Sequence, residues 1–361
     1  MIRSVKIILI ISAVVIVGGA TIFGIVVFAN WGVYQYSNTY YYEQVPSPEE
    51  KLILNCDIGA INIRYNTTPT DYIVKLDLDI RIEGGFVAGK SFSDFFYPVQ
   101  WVNNTSPITT FNLLSKPTVF LIFGIIKIIS IDVTLRTDIF YDINAFTSTG
   151  SIDMAVPQNV ILNNTVLTTS TGAILLNAGK NAEFRGNIAM TTSTGSIASY
   201  VNQVNLTHGI NTQTSTGSLT MNFTNCVIGG DIIGDVSTGS VTLTSYNTIY
   251  TKNSVWDVRT ATGSINVQMR QYIEMEANIT GIIETSTGSI DILYDDSLST
   301  IGARFTCTTG TGSIEYTDLG SGGMSRVNGI ISTNDYNSAA NKYSLTVSAS
   351  TGSIEVLGQS L

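Results

Sequence analysis

Charge is scarce in this chain. Lys, Arg, Asp and Glu make up 12% of its 361 residues, against about 25% in an ordinary soluble domain. The 27 acidic residues outnumber the 18 basic ones, for a net charge of −9. An acidic surface repels phosphate backbones and anionic headgroups, so nucleic acid is excluded as a partner and adsorption on anionic lipid is disfavoured. Histidine is nearly absent, with His208 the single imidazole. It lies between the Asn205-Leu206-Thr207 sequon and Gly209 with no carboxylate close in sequence. It therefore reads as a surface or corner residue, not as the oriented base of a hydrolytic triad. No P-loop, HExxH or GxSxG phrase occurs, and the Asp-bearing nonapeptide of calcium-binding β-rolls is missing too. Cysteine is limited to Cys56, Cys226 and Cys307, with no CxxC and no zinc-like spacing. Small apolar packing residues is the simpler reading of them, and one disulfide with a spare thiol is the other. No catalytic residue and no cofactor is assigned, and the chain reads as a non-enzyme.

What is present begins with an uncharged stretch from Ile7 to Ala29. At about 1.5 Å per residue, a helix of this length spans a hydrocarbon core of about 30 Å. Arg3 and Lys6 precede it, and Glu43, Glu49 and Glu50 follow. The basic flank places the N-terminus in the cytoplasm and everything after residue 30 outside. Trp31, Tyr34, Tyr36, Tyr40, Tyr41 and Tyr42 suit a membrane–water interface. A signal peptide cleaved after Val27-Phe28-Ala29 competes, but such apolar regions run to about 7–15 residues, so an uncleaved single-pass anchor is expected. Seven sequons, at Asn66, Asn103, Asn104, Asn163, Asn205, Asn222 and Asn278, all fall on the outer side and agree with export.

The dominant signal is a repeated phrase. TSTGSI opens at Thr147, and variants of it follow to the end of the chain. Its glycines are Gly150, Gly172, Gly195, Gly217, Gly239, Gly263, Gly288, Gly312 and Gly352, with gaps of 22, 23, 22, 22, 24, 25, 24 and 40. Gly59 in CDIGAINI is an earlier, looser copy. After each glycine apolar and polar residues alternate, as in Leu219, Met221 and Phe223 against Thr220 and Asn222. Period two marks a strand with one buried face. A fixed glycine at this repeat length reads as the corner of a parallel β-solenoid coil, and the long gap as an insertion at 318–346. The residues from Ile152 to Ile354 that follow each Gly-Ser are expected to stack as an internal column. Four units result: an anchor at 1–30, an aromatic and Pro-containing juxtamembrane linker at 31–49, a β region with an insertion at 50–146, and the solenoid at 147–361. Within the third unit, Val119–Ile131 is short for a membrane span and holds Lys127, so buried strands are expected. The aromatic group from Phe92 to Trp101 reads as the core of an insertion.

The TSTGSI coils, the CDIGAINIRY opening and the N-terminal anchor together resemble the prokaryotic toastrack-like adhesin family of β-solenoids. The likeness covers roughly residues 50–361. It implies a β-solenoid head joined to a membrane segment, with no catalytic residues to carry over. Uneven stretches at 84–118 and after Gly312 depart from the family's pattern. The Ile- and Asn-rich composition with its sequons suggests an archaeal cell surface.

One side-chain constellation is a candidate site. The residue three after each repeat glycine should face outward, and consecutive copies there include Asp291, Glu315 and Glu355. Stacked in register, Asp291 and Glu315 would lie about 5 Å apart with Glu355 as the next rung. Stacked carboxylates repel unless a cation bridges them, and hard oxygen ligands suit Ca2+. A solvated acidic face is the simpler reading. The sequence thus points to an outward-facing surface module that meets glycans or envelope proteins. A self-associating envelope component stands as the alternative, ahead of a polysaccharide-acting enzyme.

Overall fold

The computed structural model describes residues 31–43, 47–68, 70–85, 87–103, 107–116, 124–319 and 323–359. The expected anchor at 7–29 lies outside them. Among the described residues no helix is long and apolar enough to cross a membrane.

Alternating residues build the expected parallel coils. A typical turn runs along Ile188–Thr194, bends at Gly195, continues along Ile197–Asn202, bends at Gln203 and finishes with the two-residue strand Asn205–Leu206. Each strand pairs in parallel with its counterpart one coil away. Ile174, Ile197, Leu219, Val241, Ile265 and Ile290 are consecutive partners in one ladder. These side chains point inward and are all but inaccessible to solvent. One coil could not bury them alone, whereas stacked coils share a continuous core. Bulky rings fill the wider part of that core. Trp256 packs edge-on to Tyr343 at 5.8 Å, and Tyr343 meets Tyr294 at 6.1 Å.

The first corner explains the repeated phrase. Gly172 has φ +151°, and a β-carbon there would lie 1.9 Å from the carbonyl oxygen of Gly150. Only glycine tolerates both the angle and the contact. The same relationship recurs up the column. The threonine three residues before each glycine turns inward and donates its hydroxyl to the glycine carbonyl of the neighbouring coil. Thr169 reaches Gly150 at 2.9 Å, Thr214 reaches Gly195 at 2.9 Å and Thr285 reaches Gly263 at 2.9 Å. Val236 and Ala349 stand at this position in their coils and have no hydroxyl to give. A second corner column was not anticipated. Asn159, Asn181, Gln203, Asn225 and Asn247 all adopt left-handed φ between 47° and 62°, a conformation Asn reaches more readily than most residues.

The coils do not stack in chain order at either end. The last coil, Asn341–Thr351 and Ile354–Gln359, inserts between the coil of Gly288 and the coil of Gly312. The residues of the long gap therefore leave the stack: the antiparallel strands Met324–Val327 and Ile330–Thr333 cover the outer side of Ile301–Thr311. At the other end Glu49–Ile58 and Ala60–Asn66 form a full coil about Gly59, stacked on the coil of Gly150. Beyond it lie the later strands Ile108–Leu113 and Gly124–Arg136.

The aromatic segment read as a juxtamembrane linker is, over Trp31–Tyr42, a twelve-residue strand. It pairs antiparallel with Val74–Gly85, which pairs in turn with Gly124–Arg136. Tyr34 and Tyr36 lie against Phe95 and Phe92 at 5.1 and 4.6 Å, and Tyr42 meets Trp101 at 5.9 Å. Two aromatic groups that are distant in sequence thus form one packed layer, with a one-turn helix at Phe92–Phe95. Ile129 and Ile131, at the end of the apolar run read as buried strands, are buried in the strand Gly124–Arg136, and residues 119–123 of that run lie outside the described residues.

Candidate functional site

Thirteen strands, from Trp31–Tyr42 at one edge to Ile314–Asp318 at the other, make one long sheet among the described residues. At about 4.8 Å per strand its outer face extends for about 60 Å. Parallel register places equivalent side chains in rows across that face. The row three residues after the glycines is acidic at both ends and uncharged in the middle. From Thr39 it runs through Asp77, Asp132, Asn62 and Asp153, then Leu175, Ala198, Thr220, Thr242 and Asn266, and ends with Asp291, Glu355 and Glu315.

The first acids are held by local partners. Lys75 Nζ lies 2.6 Å from Asp77 Oδ2, and Thr39 donates to Oδ1 at 2.6 Å. Partial burial works against these bonds, yet they hold the Asp77 carboxyl below its ordinary pKa. Asn62 donates to Asp132 at 2.6 Å, and Arg64 grips Asp153 at 2.6 Å.

At the other end the sequence expectation needs correction. Glu355 pairs with Asp291 on one side and with Glu315 on the other, so Asp291 and Glu315 are not neighbouring rungs. The intercalated last coil separates them. Glu315 accepts a hydrogen bond from Ser313 Oγ at 2.9 Å. Among the described residues no group of three or more His, Cys, Asp or Glu side chains is placed to hold a metal ion.

The middle of the face carries a groove of about 590 Å3 that crosses five adjacent strands. Tyr200 stands on it with 46% of its surface exposed. In the ladder Tyr200 lies directly between Asn177 and Asn222. Ala155, which pairs with Asn177 in the same outward row, is small enough to leave the space open, and Asn202 and Arg64 lie on the rim. Thr224 donates to Asn222 Oδ1 at 3.1 Å, which leaves the Asn222 amide N–H groups unspent. Repetition hid this cluster in the sequence, because Asn177, Tyr200 and Asn222 occupy equivalent places in three coils and meet only through register.

His208 is exposed at a corner, as expected. Asp231 shares its recess, a proximity that sequence separation conceals, but Asp231 Oδ1 accepts the Val255 N–H at 2.8 Å. The three cysteines are free and buried. Among the sequons Asn205 is exposed, whereas Asn278 Oδ1 accepts the Lys342 N–H at 2.9 Å. Asn104 and the side chain of Asn103 lie outside the described residues.

No protein-family model matches the sequence, and no curated protein matches it. Among solved structures the chain is similar to a candidate cell adhesion protein from Clostridium sporogenes at 11% identity and a TM-score of 0.25, covering 90% of this chain and 100% of that one. It is also similar to a candidate adhesin from Bacteroides fragilis at 12% identity and a TM-score of 0.32, covering 90% of this chain and 97% of that one.

Proposed function

We propose that this chain is a membrane-anchored module of the cell surface that recognises glycans or envelope proteins through the outer face of its long sheet. The observation that carries this reading is the face itself. It is broad and rigidly registered, uncharged in its middle between acidic ends, and its exposed side chains are set at strand intervals. Such a surface suits repeated weak contacts with an extended partner, not the few converging groups of a catalytic centre. Residues 7–29 supply the anchor and the sequons mark the outer side, with Asn205 the exposed acceptor among the described residues.

The test is binding of a soluble form, residues 31–361, to purified cell envelopes with and without a calcium chelator. It begins at residue 31 because the tyrosines of Trp31–Tyr42 belong to the packed fold. Saturable binding competed by polysaccharide supports adhesion, and its loss on chelation would promote Asp291, Glu355 and Glu315 to a cation ladder. Failure of folded protein to bind would move the role to assembly. One observation favours that second reading. Leu319, Val327 and Ile330 are 44%, 64% and 39% exposed at the end of the stack opposite Trp31–Tyr42, the first after the edge strand Ile314–Asp318 and the other two on the antiparallel pair beside Ile301–Thr311. Concentration-dependent association of the same protein, abolished by Val327→Asp, would establish it.

A further inference from the structure

The groove on the middle of the long sheet has a chemistry more specific than that of the face around it. The Tyr200 ring lines it with a carboxamide one strand away on each side. Strands in a sheet are spaced at about 4.8 Å, so Asn177 and Asn222 flank the Tyr200 ring closely. Tyr200, Asn177 and Asn202 make no side-chain hydrogen bond within the described residues, and Asn222 keeps its N–H donors. Unspent amides on a rigid sheet offer paired donors and acceptors without a cost in reorganisation. The exposed ring offers an apolar plane with a polar tip. Ala155, next to Asn177 in the same outward row, is small enough to let a flat ligand approach the sheet.

From this juxtaposition we infer that the groove at Tyr200, Asn177, Asn202 and Asn222 is a binding subsite for a neutral saccharide. A pyranose presents C–H groups on one face, which suit the Tyr200 ring, and hydroxyls around its rim, which suit the flanking amides. Charge decides between sugar classes. The rows through the groove are uncharged at Ala155, Asn177, Asn222 and Thr244, and at Leu175, Ala198, Thr220 and Thr242. The one cation on the rim, Arg64, is committed to Asp153 through a 2.6 Å ion pair. On a chain with a net charge of −9, nothing in the groove compensates the carboxylate of an acidic sugar. A peptide strand is disfavoured for another reason. The strands under the groove are paired on both sides, so no backbone groups are free for strand addition. Asn222 is itself a sequon residue, and a glycan attached there would occupy the same space.

This inference rests on the recognition reading above, and its test separates the two. The full chain in detergent, freed of N-linked glycan as checked by mass, is titrated with mannotriose, cellotriose and N-acetylchitotriose, and with sialyllactose and trigalacturonate. At least one neutral trisaccharide binds saturably and in preference to both acidic ones. Tyr200→Ala weakens that binding about tenfold or more, and Asn177→Ala weakens it about threefold or more. Tyr246→Ala, on the same face outside the groove, leaves it unchanged. Tyr200 is exposed, so its variant keeps the wild-type melting temperature. Absence of neutral binding up to about 10 mM, preference for an acidic sugar, or full binding by Tyr200→Ala overturns the inference. If envelopes still bind while no trisaccharide does, the groove assignment falls and recognition stands. If trisaccharide binds but envelopes do not, the groove stands and the adhesion role falls.

Discussion

Gly352 lies directly on Gly288, with a β-carbon at Gly352 placed 1.9 Å from the Gly288 carbonyl oxygen. Gly312, which comes between them in the chain, is displaced to the far side, and its own β-carbon would meet the Gly352 oxygen at 2.1 Å. The final coil is therefore an interior layer, hydrogen-bonded on both faces. Gly352→Ala forces a side chain onto a φ of +137° and into a backbone oxygen. We expect a loss of at least about 2 kcal/mol in denaturant unfolding. Amide exchange should rise in both Ile290–Asp296 and Ile314–Asp318. A rise confined to Ile314–Asp318 would contradict the observed order.

The threonine column can be tested in both directions. Thr285→Val keeps the shape and removes the bond to Gly263, leaving a buried carbonyl short of a partner. The expected cost is about 1 kcal/mol. Val236→Thr supplies the missing hydroxyl opposite Gly217 and should stabilise by up to about 1 kcal/mol. Equal and small effects in both variants, measured by urea unfolding, would show that the hydroxyls add nothing to the stack.

Burial pushes the Cys56 thiol up to about 12 and the Cys307 thiol up to about 11, and it raises Cys226 as well. Thiolate is the reactive species. Folded protein at about pH 8 should therefore resist iodoacetamide, while unfolded protein should take up three equivalents. Labelling of any of the three before unfolding would contradict the packing role.

Glu50 is nearly buried and has one oxygen, Oε2, without a partner among the described residues, while Oε1 accepts the Ser47 N–H at 2.9 Å. Burial raises its pKa against the opposing effect of that bond. A raised folded-state pKa means that Glu50 contributes most below its unfolded value, and that this contribution is lost as pH rises through the folded value. Glu50→Gln should therefore melt above wild type near pH 7, with the gap closing near pH 4. A gap independent of pH would remove ionisation as the cause.

Much of the fold was legible because glycine spacing and period-two alternation are local signals. Gly150 to Gly288 fell into place as a column, and the residues following each Gly-Ser turned inward. The order of the last two coils was not legible. Gly312 and Gly352 sit in nearly identical phrases, so either offers the same edge to Gly288, and only long-range packing chooses. That choice also undid the expected adjacency of Asp291 and Glu315. Tyr34 and Tyr36 look interfacial in isolation, and they became core-facing because Phe92 and Phe95 arrive from another segment. The Tyr200 groove was hidden for a related reason: strand register, not chain proximity, brings Asn177 and Asn222 to its sides.

The intercalated last coil sets an order in time. A chain emerging from its N-terminus can wind through the Gly288 coil as it appears, since each of those coils has its neighbour already made. The next layer is built from the later strands Asn341–Thr351 and Ile354–Gln359. Until those residues emerge, the segment 301–318 has no native surface on which to settle. Completion of the 301–318 layer must therefore wait for residues 341–359 to be delivered, and a polypeptide that stops short of them lacks a layer from within the stack instead of one from its end.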